Sequence, residues 1–446
     1  MNATQVLSGS EDTEFKRQLT RAKIGAAIGT SLDQMEMTLF SLASALCFGQ
    51  VFFPNTDPKI ALISAFGIYG VGFLVRPIGG VIFSHLGEIY GRKWVLSMTV
   101  MLMGLATFCI GLIPSYSAIG IWAPILLVLC RCVQGAAVGA EYTSGTTYLT
   151  EIAPIGKRGI TASFVWAGAS AGTVVGGLVW TVVLTSLSRE DLTAWGWRIP
   201  FLLTIFVTMF AIWMRLKLHE SPVFLDKQKE FKERAKRAAP IVEAWQKSKK
   251  NMLRIFGFTF PCVGHSFMYQ AFLGGYIVNY VRADGGPIFS TATAIGATIG
   301  IIGGLFGGWL SDKIGRRKAG LIYAVIMCIF PILAFTMVNT GSPILIGLVM
   351  VFCFWFPAEG AMGVQSPQLP EIFGSRYRYS ALTLAREIGA IGGGLVPMLA
   401  SIILAYLGGW VAVAIFMSLL MLINVYTTYV TIETKDRDLY DERDAM

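Results

Sequence analysis

"GWLSDKIGRR" (residues 308–317) and "SHLGEIYGRK" (residues 84–93) repeat one pattern at two places in this chain. Each stretch has an acidic residue at its fifth position, a glycine at its eighth and two basic residues directly after that glycine. The glycine permits a tight turn, and the long basic side chains can extend to the ends of neighbouring helices. The pattern predicts two gating loops, built from Glu88, Gly91 and Arg92 in one and from Asp312, Gly315, Arg316 and Arg317 in the other.

The two loops lie 224 residues apart in a chain of 446 residues. A second repeat relates the pair Glu151 and Arg158 to the pair Glu371 and Arg378, at an offset of 220 residues. Two similar halves are typical of secondary transporters, whose substrate site lies between the halves near the middle of the membrane. Anchoring of basic loops on one side of a membrane is the alternative explanation of the first repeat.

The composition is that of a membrane protein. Hydrophobic residues make up 54% of the chain and charged residues 14%, with a mean hydropathy of +0.61, whereas soluble domains carry roughly 25% charged residues. We predict an all-α polytopic membrane protein with twelve transmembrane helices in two pseudo-symmetric six-helix halves. The twelve apolar runs cover roughly 24–53, 59–84, 93–114, 119–145, 160–186, 195–217, 254–282, 288–311, 318–339, 342–364, 376–406 and 409–431.

Positive charge is distributed unevenly between alternate loops. The loops after spans 2, 4, 6, 8 and 10 hold 22 Lys and Arg residues, whereas the opposite loops and helix ends hold four. The positive-inside rule therefore predicts that both termini are cytoplasmic, and the net charge of +9 needs no nucleic-acid partner. The predicted organisation is a cytoplasmic N-terminal segment (1–23), an N-terminal half (24–217), a cytoplasmic linker (218–253), a C-terminal half (254–431) and a cytoplasmic tail (432–446).

Motifs of other protein classes are missing. The seven cysteines lie in apolar stretches without a CxxC pair, which predicts neither a disulfide framework nor a metal cluster. HExxH and GxxxxGK[ST] do not occur, so we expect no enzyme, no cofactor and no bound metal. The polar N-terminus "MNATQVLSGSEDTEFKRQLTRAK" is not expected to be a cleavable signal peptide.

Longer stretches resemble the major facilitator superfamily, and more narrowly its metabolite:proton symporters, which carry compounds such as α-ketoglutarate, shikimate, citrate and proline or betaine. The resemblance implies a transporter fold that is driven by the proton gradient, and it runs from about residue 24 to residue 439. Besides both gating loops, the resembling stretches are "VFFPNTDPKIAL" (51–62), "GFLVRPIGGVIFSHLGEIYGRK" (72–93), "RCVQGAAVGAEYTSGTTYLTEIAP" (131–154), "WGWRIPFLL" (195–203) and "IETKDRDL" (432–439).

The sequence departs from the family pattern in three places. Span 1 has "DQMEM" (33–37) where the family has roughly E-W-Y-D-F, and the first gating loop has Ser84, Glu88 and Ile89 where Gly, Asp and a basic residue are usual. Span 11 has Arg386 where the family tends to have Asn. The resemblance therefore does not imply the substrate of any well-known member.

Charged residues inside the spans are functional candidates, because a charge in the bilayer core is costly. Asp33 and Glu36 are three residues apart on one helix face, and two close carboxylates in a low dielectric do not both stay ionised without nearby cations. Arg131 lies about 18 Å into span 4 and needs a partner, either a span-1 carboxylate, Glu141 or an anionic substrate. We predict proton coupling by Glu36, Asp33, Arg131 and Glu141, a role that the family resemblance also implies for Arg131. The alternative for Asp33 and Glu36 is a helix-end feature near the membrane interface. The alternative for Arg131 is a purely structural ion pair.

Arg386 lies about 15 Å into span 11, near the depth of transporter substrate sites. Two arginines from opposite halves could hold a carboxylate between them, because the guanidinium binds carboxylates through two hydrogen bonds. Glu387 points about 100° away from Arg386, so we do not expect both side chains in the cavity as a pair. The predicted substrate-binding residues are Arg386, Arg131, Arg76, Glu359, His265, Tyr269, Gln270, Trp166 and Tyr142, with structural pairing or packing as the alternative for each.

These features predict proton-coupled uptake of a small organic anion, such as a carboxylate metabolite, by alternating access. Two alternatives remain open: a proton-coupled antiporter or exporter of a metabolite or drug, because a fold does not fix direction, and a symporter of a zwitterionic osmolyte. The expected partners are the substrate, protons and the lipid bilayer, with no nucleic acid. We expect a monomer in the plasma membrane, which is the inner membrane if the source is bacterial.

Overall fold

The structure is a computed structural model that describes residues 9–90, 92–139, 141–216, 240–375 and 378–445. Every regular element in these ranges is helical. Twelve helices or groups of consecutive helical segments follow one another at the positions of the twelve predicted spans, and we label them α1 to α12 in that order. The prediction of an all-α membrane protein is confirmed.

In the N-terminal half, three groups contain more than one helical segment. Helix α1 comprises Gly9–Ala43, the π-helical turn Ser44–Phe48 and Gly49–Phe52; α2 is Pro58–Tyr90; α3 is Arg92–Leu112; α4 comprises Trp122–Val138 and Glu141–Ile152; α5 comprises Arg158–Ala162 and Phe164–Ser186; and α6 is Ile199–Leu216.

The C-terminal half has the same succession. Helix α7 comprises Pro240–Phe267, the π-helical turn Met268–Phe272, Leu273–Tyr276 and the π-helical turn Ile277–Val281; α8 is Gly285–Ile314; α9 is Arg316–Val338; α10 comprises Pro343–Cys353, the π-helical turn Phe354–Ala358 and Gly360–Ile372; α11 is Arg378–Tyr406; and α12 is Trp410–Val430.

Ten of these helices in the described ranges are long and apolar enough to cross a membrane. The other two are α3, whose apolar part Ser97–Leu112 is shorter, and α7, which is interrupted by its π-helical turns and begins with a charged segment. Large apolar side chains of α6 and α12, such as Phe206, Met209, Leu419 and Tyr426, are exposed on the outer surface. Apolar side chains in this position are stable in contact with lipid tails.

The π-helical turns were not predicted. Those of α1 and α7 begin at Ser44 and Met268, the same 224-residue offset that separates the two gating loops. A π-helical turn accommodates one more residue than an α-helical turn and is frequently found at functional sites. The two halves are therefore similar in backbone conformation as well as in loop sequence.

The two halves contact each other at both ends of the bundle. We call the end at which α1 begins and α12 ends the terminal end, and the opposite one the distal end. At the distal end, the ring of Phe66 in α2 lies 6.5 Å from that of Phe272 in α7. Nearer the middle of the bundle, the ring of Phe267 lies 5.5 Å from that of Tyr69 and 5.1 Å from that of Phe73. The hydroxyl of Thr181 in α5 also donates to Ser290 in α8, at 3.0 Å. Aromatic packing and a hydrogen bond thus close the interface on this side.

At the terminal end, the contacts between the halves are polar. The Asp312 carboxylate accepts hydrogen bonds from the backbone N–H groups of Gly159 (2.8 Å) and Ile160 (2.9 Å) at the start of α5. The hydroxyl groups of Ser144 and Tyr379 lie 2.7 Å apart. The space between the halves is therefore bounded at both ends.

Candidate functional site

The second sequence repeat forms ion pairs across the interface at the terminal end. Arg378 of the C-terminal half contacts Glu151 of the N-terminal half at 2.8 Å, and Arg158 of the N-terminal half lies 3.9 Å from Glu371 of the C-terminal half. Each acid is thus paired with the basic residue of the other half. An exchange of this kind is what pseudo-twofold symmetry produces at an interface.

The second gating loop joins this network. Arg316 contacts Asp312 at 2.7 Å and binds both Glu371 oxygens at 3.1 Å. Gly315 has φ of +98°, a conformation that L-residues rarely adopt. Arg317 donates to the Tyr429 carbonyl at 2.6 Å. The side chains of Glu88, Arg92 and Glu141, and all of Gly91, lie outside the described residues.

The tail after α12 packs on the same end. The Glu433 carboxylate accepts hydrogen bonds from the backbone N–H groups of Arg316 (2.8 Å) and Arg317 (3.1 Å), and so caps α9. Arg158 donates to the Arg437 carbonyl at 2.6 Å, which links the tail to the N-terminal half. The sequence had assigned these residues only to a cytoplasmic tail, because nothing in a short polar segment indicates where it binds.

A cavity of about 40 Å³ lies between the two contact layers. It is lined by residues of both halves, namely Thr30, Asp33, Gln34, Met37, Phe73, Arg76, Tyr142, Trp166, Ala169, Val263, Ser266, Phe267, Gln270, Glu359, Met362, Arg386 and Ala390. Seven of the predicted site residues are among them. The cavity is large enough for a few water molecules, so a bound solute would require the halves to move apart.

Helix α1 forms one wall. Asp33 lies 3.8 Å from Arg76 of α2, so this cavity arginine already has a carboxylate partner. Gln34 donates to Gln270 of α7 at 3.3 Å and Gln270 donates to Ser266 at 2.6 Å, which spans the two halves with amide groups.

The side chain of Glu36 points away from that of Asp33, although their spacing predicts that they share one helix face. It is 5% exposed and does not line the cavity. Its Oε2 atom accepts a hydrogen bond from the hydroxyl of Thr107 in α3, at 2.5 Å. A spacing of three residues leaves the two side chains about 60° apart around the helix, enough to place one in the cavity and the other in the α1–α3 interface.

Arg131 is connected to Glu36 through two intervening side chains. It donates to Gln134 Oε1 at 2.9 Å, Gln134 Nε2 donates to the Thr107 hydroxyl at 2.6 Å, and Thr107 donates to Glu36. All four residues are buried. This chain of hydrogen bonds links a buried cation to a buried acid without direct contact, and we call it the α1–α4 relay.

The predicted substrate-binding role of Arg131 does not agree with its position, because Arg131 lies behind the cavity wall. Its guanidinium carbon is 4.3 Å from the Phe40 ring centroid and 5.4 Å from that of Tyr69, which screens it from the space between the halves. Gly72 makes room for it, since a Cβ atom there would lie 3.0 Å from the guanidinium. The predicted clamp of Arg131 and Arg386 around one carboxylate is therefore not formed.

Arg386 faces the cavity and pairs with Glu387. Its Nη1 atom donates to Glu387 Oε1 at 2.6 Å, although side chains of adjacent helical residues leave the axis in different directions. The flexible arginine turns back to its neighbour. Only Arg386 of the two lines the cavity, which agrees with the expectation that the two side chains do not both lie in the cavity as a pair. The guanidinium also lies 3.6 Å from the ring centroid of Tyr142, which in turn packs on Trp166 at 4.6 Å.

Glu359 enters the cavity from α10. It follows the π-helical turn Phe354–Ala358, and its backbone N–H donates to the Phe354 carbonyl at 3.2 Å, five residues back. The side chain is 2% exposed, and its Oε2 atom has no hydrogen-bond partner among the described residues.

His265 and Tyr269 do not line the cavity, although both were predicted to bind substrate. Their rings contact each other at 5.1 Å, and Tyr269 packs on Phe330 of α9 at 5.2 Å. Both are fully buried between α7 and its neighbours within the C-terminal half. The sequence of a helix that is apolar on all sides does not indicate which side faces a cavity. The depth of His265 and Tyr269 along the span was therefore not enough to predict that they line it.

Several residues of the site were not predicted. Gln134 follows Arg131 by three residues and could have been found from the R-x-x-Q spacing, whereas Thr107 carries no signal in the sequence. Ser170 belongs to "GASAG" (168–172), which matches the hydrolase motif GxSxG, so the expectation that motifs of other protein classes are missing is wrong at this place. It lies inside helix α5, and no strand precedes it in the described part of the chain, so the nucleophile turn that this motif marks in hydrolases is not formed.

Two pseudo-symmetric halves of membrane helices around a cavity that contains charged and amide side chains are typical of a secondary transporter. The profile of the Major Facilitator Superfamily matches residues 26–369. YdfJ of Escherichia coli (strain K12), whose name specifies no substrate, is 37% identical over 414 residues, 92% of this chain and 96% of YdfJ. The shikimate transporter of the same strain is 33% identical over 422 residues, 94% of this chain and 95% of the transporter.

A proline/betaine transporter of Salmonella typhimurium (strain LT2) is 32% identical over 437 residues, 95% of this chain and 85% of that transporter. Among solved structures, the proton:xylose symporter XylE bound to 6-bromo-6-deoxy-D-glucose has a TM-score of 0.68 at 19% identity, covering 95% of this chain and 98% of XylE. The similarity to XylE concerns the fold alone. The chain belongs to the major facilitator superfamily and is an integral membrane transporter of that type.

Proposed function

We propose that this transporter is a proton-coupled symporter that takes up a small organic anion, such as a carboxylate metabolite, by alternating access. The observation that carries the proposal is the α1–α4 relay, which places a buried acid and a buried arginine beside a cavity shared by both halves. In this proposal Glu36 carries the proton. Arg131 stabilises the ionised form of Glu36 through Gln134 and Thr107.

Thr107 gives the relay two alternative states. Its hydroxyl lies 2.5 Å from Glu36 Oε2 and 2.8 Å from the Met103 carbonyl, and its single hydrogen atom can serve only one of them at a time. An ionised Glu36 accepts this hydrogen, whereas a protonated Glu36 releases it to Met103. The protonation state of Glu36 would thereby change the contact between α1 and α3, which is the kind of local change that biases a two-state transporter.

Arg386 and Arg76 are the candidate substrate ligands, one from each half. A carboxylate on the substrate would compete with Glu387 for Arg386 or with Asp33 for Arg76. Release of an internal carboxylate when substrate binds would couple occupancy to the contacts between helices.

One observation favours the alternative substrate class, a zwitterionic osmolyte. Both cavity arginines already have carboxylate partners, and the Oε2 atom of Glu359 has no hydrogen-bond partner in the described structure. A substrate with both a carboxylate and a cationic group would match this balance better than a simple anion. The names of the relatives, a shikimate transporter and a proline/betaine transporter, include both classes.

We further propose that both termini and the linker after α6 are cytoplasmic, which would make the terminal end the cytoplasmic gate. The uneven distribution of Lys and Arg supports this orientation. The boundaries at residues 23, 217, 253 and 431, the monomeric state and the gating role of the loops are parts of the same proposal.

Transport assays in proteoliposomes test the proposal. A panel of carboxylates, aromatic acids and betaines is first scored by thermal shift and then by uptake under an inward proton gradient. Glu36→Gln should abolish gradient-driven accumulation and leave substrate exchange at least partly intact, because exchange needs no net proton movement. Accumulation that is unchanged in the variant would contradict the role of Glu36, and accumulation driven only by an outward proton gradient would favour an antiporter.

A further inference from the structure

Among the described residues, Glu359 is the acid lining the cavity that has no cation partner. Asp33 lies near Arg76, and Glu387 beside the cavity is bonded to Arg386. Within the described residues Glu359 takes part in no ion pair, and its Oε2 atom is buried without a hydrogen-bond partner. An isolated buried carboxylate is so costly that such a group usually binds a proton.

The surroundings of Glu359 contain few groups that could compensate a negative charge. On α8, Gly300 and Gly304 face it: Glu359 Cγ lies 3.1 Å from where a Cβ atom at Gly300 would be, and Glu359 Cβ lies 3.6 Å from that position at Gly304. On α5, Trp166 and Ser170 face it, and neither titrates.

The ionisable groups near Glu359 are neutral or already paired. They are Cys353 on its own helix, Tyr142 on α4, Tyr323 of α9 against the adjacent Gly360, Arg386 beyond Tyr142, and Asp33 and Arg76 across the cavity. The cations in this set, Arg386 and Arg76, each have a carboxylate partner of their own.

We propose that Glu359 is a second proton-binding site, which is protonated while the cavity is closed and exchanges its proton when the cavity opens to water. This inference rests on the proposed proton symport and adds one proton per cycle to the one carried by Glu36. The two acids lie in different halves, Glu36 in the α1–α3 interface and Glu359 behind the π-helical turn of α10. They would therefore respond separately to the opening of the halves.

Infrared difference spectroscopy of the purified protein in lipid tests this without knowledge of the substrate. The pH is stepped between about 6 and 9, a range in which exposed carboxyl groups stay ionised. A carboxyl group that exchanges its proton in this range gives a C=O band that is absent from its ionised form. We expect one band that is lost in Glu359→Gln and a second that is lost in Glu36→Gln.

Two further variants assign the bands. Glu190→Gln, at an exposed acid of the distal end, should remove neither band. Ser170→Ala keeps the carboxyl group and removes the hydroxyl beside it, so it should shift the Glu359 band and leave the Glu36 band in place. Ser170→Ala also provides a result if Glu359→Gln does not fold.

The outcomes separate the two proposals. A spectrum in which Glu359→Gln removes no band overturns the second site, whatever happens in Glu36→Gln. Loss of a band in Glu359→Gln but not in Glu36→Gln supports the second site and contradicts the proposed role of Glu36. Glu359 could instead be a fixed counter-charge for a substrate cation. In that case no Glu359 band titrates, and Glu359→Gln loses binding of glycine betaine, used as a probe, at every pH. This result also overturns the second site.

Discussion

Replacement of Arg386 by glutamine should destabilise the protein because it leaves a buried carboxylate without its cation. Arg386 is 7% exposed and Glu387 is 2% exposed, and the pair is joined by a 2.6 Å hydrogen bond. The other oxygen of Glu387 has no hydrogen-bond partner among the described residues, so the guanidinium provides most of its stabilisation. Removal of one partner from a buried ion pair costs about 3–5 kcal/mol.

A double-mutant cycle separates this cost from the loss of either side chain alone. Arg386→Gln and Glu387→Gln should each lower the free energy of unfolding, and the double variant should be more stable than the sum of the two predicts, by about 1–3 kcal/mol. Unfolding is followed by tryptophan fluorescence in detergent, and size-exclusion chromatography shows which variants are folded. A matched control is Arg443→Gln, whose side chain is 86% exposed and is paired with Asp441 at the surface, so little change in the free energy of unfolding is expected there.

Two results would refute the reasoning. Additive effects of the single substitutions, within about 0.5 kcal/mol, would show that the two charges do not stabilise each other. An Arg386→Gln protein with an unchanged unfolding midpoint and weakened substrate binding would show that Arg386 is held for the substrate and that Glu387 does not need it.

Three other predictions concern topology, the relay and the second gating loop. Single cysteines in place of Glu190 and Lys249, in a cysteine-free background, should react with impermeant reagents from opposite sides of the membrane; reaction from one side contradicts the twelve-helix topology. Thr107→Val keeps the shape of the side chain and interrupts the α1–α4 relay. Gradient-driven uptake should therefore fall roughly tenfold, the scale of one unsatisfied buried polar group, while substrate exchange persists. Equal losses in both assays would indicate a folding defect instead. Gly315→Ala should lower the free energy of unfolding by about 1–3 kcal/mol, because Gly315 has a positive φ that alanine rarely adopts and because the new Cβ atom would overlap the Glu433 carboxylate. An unchanged midpoint of thermal unfolding would contradict this.

The architecture could be predicted because bilayer thickness sets the length of an apolar run. The helices extend past the predicted spans mainly at the terminal end, for example in Pro58–Tyr90 and Pro240–Phe267, where polar residues continue the helix outside the apolar region. The offset between the repeats predicted two similar halves before any packing was known. The π-helical turns could not be predicted, because no residue type marks the insertion of one extra residue into an apolar helix.

The site could be predicted only in part, since sequence position gives depth in the membrane but not direction around the helix. Asp33, Arg76 and Glu359 line the cavity as predicted for polar residues at that depth, whereas Arg131 at a similar depth lies behind it. Arg131 is stabilised there by Phe40 and by Gln134, which no count along one helix can reveal. Charged residues identify the layer of the membrane in which a site lies, and only the packing of neighbouring helices determines which of them reach it.

The matching π-helical turns at Ser44–Phe48 and Met268–Phe272 also bear on the origin of the chain. An extra residue at the same place in both halves is most simply explained if it was present in a single six-helix ancestor before gene duplication. The surrounding residues have since diverged, from "SALCF" in one half to "MYQAF" in the other. In this history the backbone irregularity has outlasted the side chains around it, and it can serve to align the two halves of distant relatives where their sequences no longer do.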